Sequence, residues 1–418
     1  MASSHHLWAA FSTIDLHTLA RPLPGEQAHC YFGQIMFCRL KTSAVVAMAA
    51  VVLFGAGLAY WGYGMYRVWG KDADGDLRSR YQEYVLFSDH IYPHRRVAEA
   101  AGRTGVRMHT VYPPYSFPMF AAVFWAPSFI MGRVTFQILS LAGLGVLIWY
   151  GISQLRFAGR AAAWLGAAVP FAFSGHSTAI AIGQFSIICT ALIILQIILL
   201  GRGRPILAGC CWALAMLKPQ IALPFAILFL VRPQWRGLAA GVAILGSFTA
   251  FALWWTGVMP WDFWYQGVES HKLTFITREL YGAGLWVDAL GINPRLAVLG
   301  ALGVIALCAV AMMQRRVREK MTMETTAALC AVLGYTLFYH VHYDNMMLLP
   351  LLVPLLACLL RRPNIALFAA TGLMAFTVYA PPRIPATEWI VLLAPTAALC
   401  VLLTQHFRQA RVNQQSAA

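Results

Sequence analysis

Charge is scarce in this chain, and acidic charge is scarcest. Asp, Glu, Lys and Arg together make up 11% of 418 residues, with 16 Asp plus Glu against 31 Lys plus Arg. Soluble domains carry roughly 25% charged residues. A chain that is 60% hydrophobic, with mean hydropathy +0.64, cannot cover a water-facing surface, so it reads as an integral membrane protein. It also lacks a Gly-rich phosphate loop, which argues against a nucleotide site. There is no C-x-x-C or His/Cys metal spacing. Most of the 9 cysteines lie in apolar runs, as small buried hydrophobes. Long basic runs are missing too. The net charge of +15 comes from short Lys/Arg groups between apolar stretches, which excludes nucleic acid as a partner and suits loops lying on an anionic membrane leaflet. No exact internal repeat is visible, so an inverted-repeat transporter lacks support.

What is present is a succession of apolar runs. Spanning a bilayer takes about 20 residues. Runs near that length fall at 43–63, 114–131, 134–155, 161–179, 183–200, 205–231, 237–257, 297–313, 323–340, 344–360, 364–380 and 388–405. These predict an all-α, polytopic transmembrane bundle of about twelve spans. Residues 1–40 read as a disordered cytoplasmic tail without a signal-type apolar region, 41–407 as one membrane domain, and 408–418 as a C-terminal cytoplasmic tail. Compact basic groups at Arg202/Arg204, Arg232/Arg236, Arg315–Lys320, Arg361/Arg362 and Arg408/Arg411 mark cytoplasmic ends. The long loops 64–113 and 258–296 then face outside. One conflict stands in this topology. If every run crosses once, Arg202/Arg204 and Arg232/Arg236 fall on opposite sides. A hairpin broken at Lys218-Pro219 resolves it, provided the parity also changes between 114 and 160.

The polar islands carry the chemistry. Asp72, Asp74 and Asp76 follow the first apolar run. Asp76 suits a general base taking a proton from a hydroxyl, or a helix N-cap. The three together suggest, more weakly, a metal site. From Asp76, Leu77, Tyr81, Tyr84 and Val85 recur at helical spacing, with Arg78, Ser79, Gln82 and Glu83 opposite. That pattern predicts an amphipathic helix lying on the membrane in the first external loop. Tyr112-Pro113-Pro114-Tyr115 reads first as a rigid helix start. Gln184 at the head of an apolar run is either interhelical glue or a ligand for a substrate hydroxyl. Lys218 is a charge inside an apolar run next to a helix breaker, hence a functional candidate, with a lipid phosphate as its natural partner. His340, His342, Asp344 and Asn345 crowd one membrane-edge turn, where a histidine could meet a phosphate or relay a proton. Arg278, among interfacial aromatics, offers a planar donor for phosphate.

These pieces in this order resemble glycosyltransferase family 87, the polyprenol-phosphate-mannose-dependent mannosyltransferase type of the GT-C class. The similarity rests on the acidic first loop, Val111-Tyr112-Pro113-Pro114, Gly183-Gln184, the stretch Ala208 to Gln220 ending in Leu217-Lys218-Pro219-Gln220, and the late His/Tyr/Asp turn. It covers roughly residues 40–405. The resemblance implies a GT-C-like helical fold in the cell inner or plasma membrane with its site on the outer face. It implies a polyprenyl-phosphate sugar donor, with mannose as the sugar, a lipid or glycan acceptor, and no cofactor. The family's base matches Asp76, and its late histidine matches His340 or His342. The expected reaction is an inverting transfer to an acceptor hydroxyl. The rival readings are a transporter or flippase of a polar or lipid-linked solute, and a non-catalytic membrane scaffold.

Overall fold

The computed structural model describes residues 25–70, 75–94, 112–126, 128–231, 233–262, 287, 290–291, 293–338, 340–379 and 388–417. All regular structure among them is helical. The order is α1 (Gly25–Gly70), α2 (Gly75–Ser88), α3 (Ser116–Phe120), α4 (Phe129–Leu155), α5 (Arg160–Phe171), α6 (Gly175–Ile182), α7 (Ser186–Gly201), α8 (Pro205–Ala215), α9 (Pro219–Val231) and α10 (Trp235–Thr256). After these come α11 (Pro294–Met313), α12 (Met323–Leu337), a 3-10 segment His342–Leu348 running into α13 (Leu349–Arg361), α14 (Ile365–Tyr379) and α15 (Glu388–Ala417).

Among the described residues, six helices are long and apolar enough to cross a membrane: Ser43–Trp69, Phe129–Ala158, Trp235–Thr256, Leu296–Met313, His342–Arg361 and Trp389–Ala410. The bent pair α5 and α6, 45° apart, makes a seventh if counted as one span. Val45, Met48, Val51, Val52 and Leu58 on α1 are exposed, as lipid-facing side chains are in a bundle solvated by acyl chains. The α5–α6 break follows Pro170, and its freed backbone is reconnected: Ser174 donates through both its amide and its hydroxyl to the Val378 carbonyl, at 3.2 and 3.1 Å. A non-helical stretch at membrane depth needs such a partner.

The twelve expected spans are thus not confirmed: 161–179 is the bent pair, 183–200, 323–340 and 364–380 form shorter helices of 16, 15 and 15 residues, and two further runs are not single helices at all. Residues 114–131 were expected to cross and do not. Only Ser116–Phe120 is helical before a chain of turns, with Pro113, Pro114 and Pro118 limiting regular structure. Apart from the exposed Trp125, its aromatics turn inward instead of toward lipid. Phe117, Phe120 and Phe124 are buried with Phe87, Phe136 and Phe185 in a core separate from the main bundle, with Phe120 stacked on Phe185 at 5.8 Å. The apolarity of this run reflects an aromatic platform under the first loop.

The run 205–231 is a hairpin. Gly237, at the start of α10, touches both ends of it: a Cβ there would lie 2.5 Å from the Pro205 carbonyl oxygen and 2.7 Å from the Phe229 ring. A Cβ at Gly209 would strike the Gly237 carbonyl, so glycine is required for α8 and α10 to approach this closely. Within the hairpin, Trp212 Nε1 donates to the Ala222 carbonyl at 3.0 Å, and the Trp212 and Phe229 rings meet edge-on. α8 and α9 therefore run antiparallel, with Lys218 at the bend. The start of α8, just after Arg202/Arg204, and the start of α10, which holds Arg236, share one end of the bundle. With 114–131 removed as a span, both parity changes that the charge pattern demands are present.

The first loop does form a helix, α2, and Leu77, Tyr81 and Tyr84 of the expected apolar face pack inward, but the buried side extends beyond that face. Leu77, Arg80, Glu83 and Phe87 are the buried residues, whereas Val85 is exposed. Arg80 and Glu83 face inward because they satisfy each other, with Arg80 Nη1 2.6 Å from Glu83 Oε1, and because the Arg80 guanidinium lies 4.5 Å from the Tyr112 ring centre. α2 packs on protein, along α3 and the start of α4.

Candidate active site

The site is assembled around the four residues Gly183–Ser186, between α6 and α7. Gly183 has φ +79°, a left-handed conformation that closes α6. A Cβ at this position would also run into Leu77 of α2. Glycine is thus needed twice, for the turn and for the approach of α2. That approach brings the first turn of α2 to the next residue, and Gln184 Nε2 donates to Asp76 Oδ2. Two candidates 108 positions apart in sequence are direct partners. Asp76 is half-buried and, among the described residues, makes no ion pair.

Two residues further on, Ser186 joins a second cluster. Lys218 Nζ lies 2.6 Å from Asp344 Oδ1 and donates to Ser186 Oγ at 2.7 Å, and the Ser186 hydroxyl donates to the same Asp344 oxygen. All three are buried. The Lys218 ammonium also sits 4.7 Å from the Tyr343 ring centre. Local sequence explains the placement. Pro219 stops α8 from continuing, so Lys218 leaves the helical conformation (φ −119°, ψ 85°) at the hairpin bend and points at the head of α7. The sequence offered Lys218 as a cation for a phosphate and Asp344 as a separate acid; the structure makes them each other's counter-ion.

The remaining candidates surround these two clusters. Tyr112 is buried under the Arg80 guanidinium, and its carbonyl accepts from His94 Nε2 at 2.9 Å. Burial pushes its phenol well above the usual tyrosine range, and Asp76 adds to the shift. Cys189, one turn into α7, lies within electrostatic reach of Tyr112, Tyr115, Lys218 and Asp344, so the clusters are continuous. The two histidines separate. His340 is buried, 4.0 Å from the Tyr335 ring, within reach of Asp344 and Lys218, and burial pushes its imidazole down to about 4, so it is neutral at physiological pH. His342 instead meets Thr178 Oγ1 on α6 through Nε2 at 3.0 Å. Asn345 Nδ2 donates to the Thr377 carbonyl at 2.9 Å. Asp72, Asp74 and Arg278 lie outside the described residues. Among the described residues, no three His, Cys, Asp or Glu side chains gather as a metal site.

Sequence reasoning missed Ser186, Arg80 and Glu83. Ser186 is one hydroxyl in an apolar run, and its only signal was its place two residues after Gln184. Arg80 and Glu83 carried the i, i+3 spacing of a helical ion pair.

Ser186 and Asp344 stand at the heads of α7 and of the helix leading into α13, whose far ends reach Arg202 and Arg361/Arg362. The site thus occupies the bundle end opposite these arginines. The sequence profile of glycosyltransferase family 87 matches residues 110–339, more than half of the chain. The chain belongs to this family. It is an integral-membrane glycosyltransferase that uses a sugar donor and an acceptor. The matched region contains Tyr112, Gln184 and Lys218, while Asp76, His340, His342 and Asp344 lie outside it. No curated protein and no solved structure matches the chain.

Proposed function

We propose that the chain moves a sugar, mannose, from a polyprenyl-phosphate donor to an acceptor hydroxyl on a lipid or glycan, at the outer face of the cell's plasma or inner membrane. The observation that carries this reading is the Asp76–Gln184 pair: a half-buried carboxylate held by a neutral amide at the bundle end opposite the arginines. The positive-inside tendency supports a cytoplasmic end for those arginines and, with it, an outer position for the site.

In this mechanism Gln184 fixes one oxygen of Asp76, and the carboxylate takes the proton of the acceptor hydroxyl as that oxygen attacks the anomeric carbon. The bond from the anomeric carbon to the lipid phosphate breaks, and the phosphate leaves with the electron pair. It is a good leaving group, so the step calls for little acid catalysis. One displacement inverts the anomeric configuration. Lys218 and Asp344 act as a positioning pair: through Ser186 they pin the turn that presents Gln184. His340, neutral, lines the site as a hydrogen-bonding group, not as a phosphate counter-charge. Arg278 is a further candidate for the donor from the second external loop.

The test is transfer from a labelled polyprenyl-phosphate mannose by the purified chain supplied with membrane extract, with the anomeric configuration of the product read by NMR. A product of inverted configuration is expected. A retained configuration, or label crossing the bilayer without product, would overturn the reading.

A further inference from the structure

Gln184 meets Asp76 because α6, a helix of 8 residues, ends beside the first turn of α2. The direction of α6 is decided at its other end, where it leaves α5. Pro170 lies in the last turn of α5, and the backbone bond that closes that helix runs from the Ala172 amide to the Ala168 carbonyl. The Val169 and Pro170 carbonyls fall beyond it. The Ser174 amide, the ordinary helical partner of the Pro170 carbonyl, donates to Val378 instead. Side chains take over both carbonyls. The Tyr379 hydroxyl, from α14, donates to Val169 at 3.1 Å, and His176 Nε2, from α6, donates to Pro170 at 2.7 Å.

His176 is fully buried, its ring 5.2 Å from that of Trp61 on α1 and 6.1 Å from that of Phe173. Its bond runs from the first turn of α6 back to the last turn of α5. Among the described residues, no other α6 side chain bonds to α5: Ser177 turns to the Ser174 carbonyl and Thr178 to His342. The flanks of α6 are set by close backbone approach. A Cβ at Gly64 of α1 would lie 2.9 Å from the Ser177 carbonyl oxygen, and one at Gly175 2.7 Å from Tyr343 Cα. Such approaches fix spacing, but they give no directional bond across the break. From His176 to Gln184 is about 12 Å along a helix, so a tilt of about 10° at the break would carry the far end about 2 Å sideways. A displacement of about 1 Å can cost about 10²-fold in rate.

We infer that His176 is the positioning residue of Gln184: its bond across the α5–α6 break sets the tilt of α6 and so delivers the Gln184 amide to Asp76. His176 acts through Gln184 and does not touch substrate. Its effect on turnover rests on the proposed role of the Asp76–Gln184 pair; its effect on where Gln184 lies does not.

The test reads geometry and turnover separately, on the full-length chain in lipid bilayers. Solid-state NMR follows the dipolar coupling between the Gln184 side-chain ¹⁵N and the Asp76 carboxyl ¹³C, with Gln184→Leu to identify the signal. Transfer from labelled polyprenyl-phosphate mannose supplies kcat and KM. His176→Phe keeps a ring and removes the donor. It should erase the coupling and lower kcat by about tenfold, with KM for the donor within about twofold of wild type. His176→Gln returns an amide donor near the place of Nε2 and should restore most of both. Tyr379→Phe uncaps the neighbouring carbonyl from outside α6; it should lower the unfolding midpoint yet leave coupling and kcat near wild type. In a Gln184→Leu background, His176→Phe should lower kcat no further. Should His176→Phe fail to fold, His176→Asn, too short to reach the Pro170 carbonyl, replaces it. An intact coupling in the folded variant would overturn the inference, whatever its turnover. So would an equal loss of coupling in Tyr379→Phe, or the full drop in kcat on the Gln184→Leu background. A coupling lost with turnover unchanged would leave the placement by His176 standing and sink the catalytic role of the Asp76–Gln184 pair.

Discussion

Asp76 and Asp344 are held by the same short turn, through Gln184 and Ser186, and their situations are opposite. Asp344 is buried against Lys218 and the Ser186 hydroxyl, its charge matched at 2.6 Å. Asp76 is half-buried and, among the described residues, meets only the neutral amide of Gln184. A carboxylate bound tightly to an ammonium is a poor base, because taking a proton would strand a buried cation. One that is oriented by an amide and open on one side can accept a proton from a substrate. Acidic residues are few in this chain, and in the proposed mechanism these two divide the work: one fixes the scaffold and the other acts as the base.

The difference can be broken from the Asp344 side first. Lys218→Met or Asp344→Leu alone should cost about 3–5 kcal/mol, because each leaves a buried group unpaired. The double variant should recover much of that loss. Unfolding midpoints in detergent, together with the double-mutant cycle, measure it. Additive single effects would mean that the two residues do not act as a pair.

Next comes the amide. Gln184→Leu removes a hydrogen bond to a charged group, worth about 1.5–3 kcal/mol. It should lower kcat by about tenfold or more, with little change in KM for the donor. A change confined to KM would show that Gln184 binds substrate and does not orient Asp76.

Gly183→Ala is smaller. It adds a methyl group against Leu77 in a left-handed backbone, and strain of this kind costs about 1–3 kcal/mol. Its mark would be lost activity greater than lost stability, since α2 carries Asp76. Activity at the wild-type level would mean that the approach of α2 is not tuned.

The last effect is a pH dependence, and at neutral pH it is silent. His340 folds as the neutral form, its imidazole pushed down from about 6.5 to about 4 by burial. Between those values the unfolded chain binds the proton more readily, so its contribution to stability is present above about pH 6.5 and is lost as pH falls toward 4. His340→Gln should flatten that share of the slope in unfolding midpoints taken from pH 7.5 to 4.5. An identical slope would place the titration elsewhere.

Much of this site was legible in sequence as separate pieces. Asp76, Gln184, Lys218 and Asp344 each stood out because polar groups in an apolar chain need a reason. Their pairing was not legible. Lys218 and Asp344 are 126 positions apart, and only the hairpin bend brings them together. The hairpin itself could be argued from Lys218-Pro219 and the conflict of charges around it. The run at 114–131 misled because hydropathy does not separate an aromatic platform from a lipid-facing helix; its prolines were the better guide. In α2, spacing found the helix and the inward turn of Leu77, Tyr81 and Tyr84 but not that of Arg80 and Glu83, since an ion pair can bury these as readily as two apolar side chains.

The most direct measurement is the transfer rate of Asp76→Asn beside that of the Lys218→Met/Asp344→Leu double variant, both confirmed as folded by their unfolding midpoints. Loss of a general base lowers rates by about 10²–10⁴-fold. Asp76→Asn is predicted to fall by that much while still binding donor, and the double variant to stay within about tenfold of wild type. Near-normal transfer by Asp76→Asn, or a collapse of transfer in the stable double variant alone, would contradict the assignment of the base.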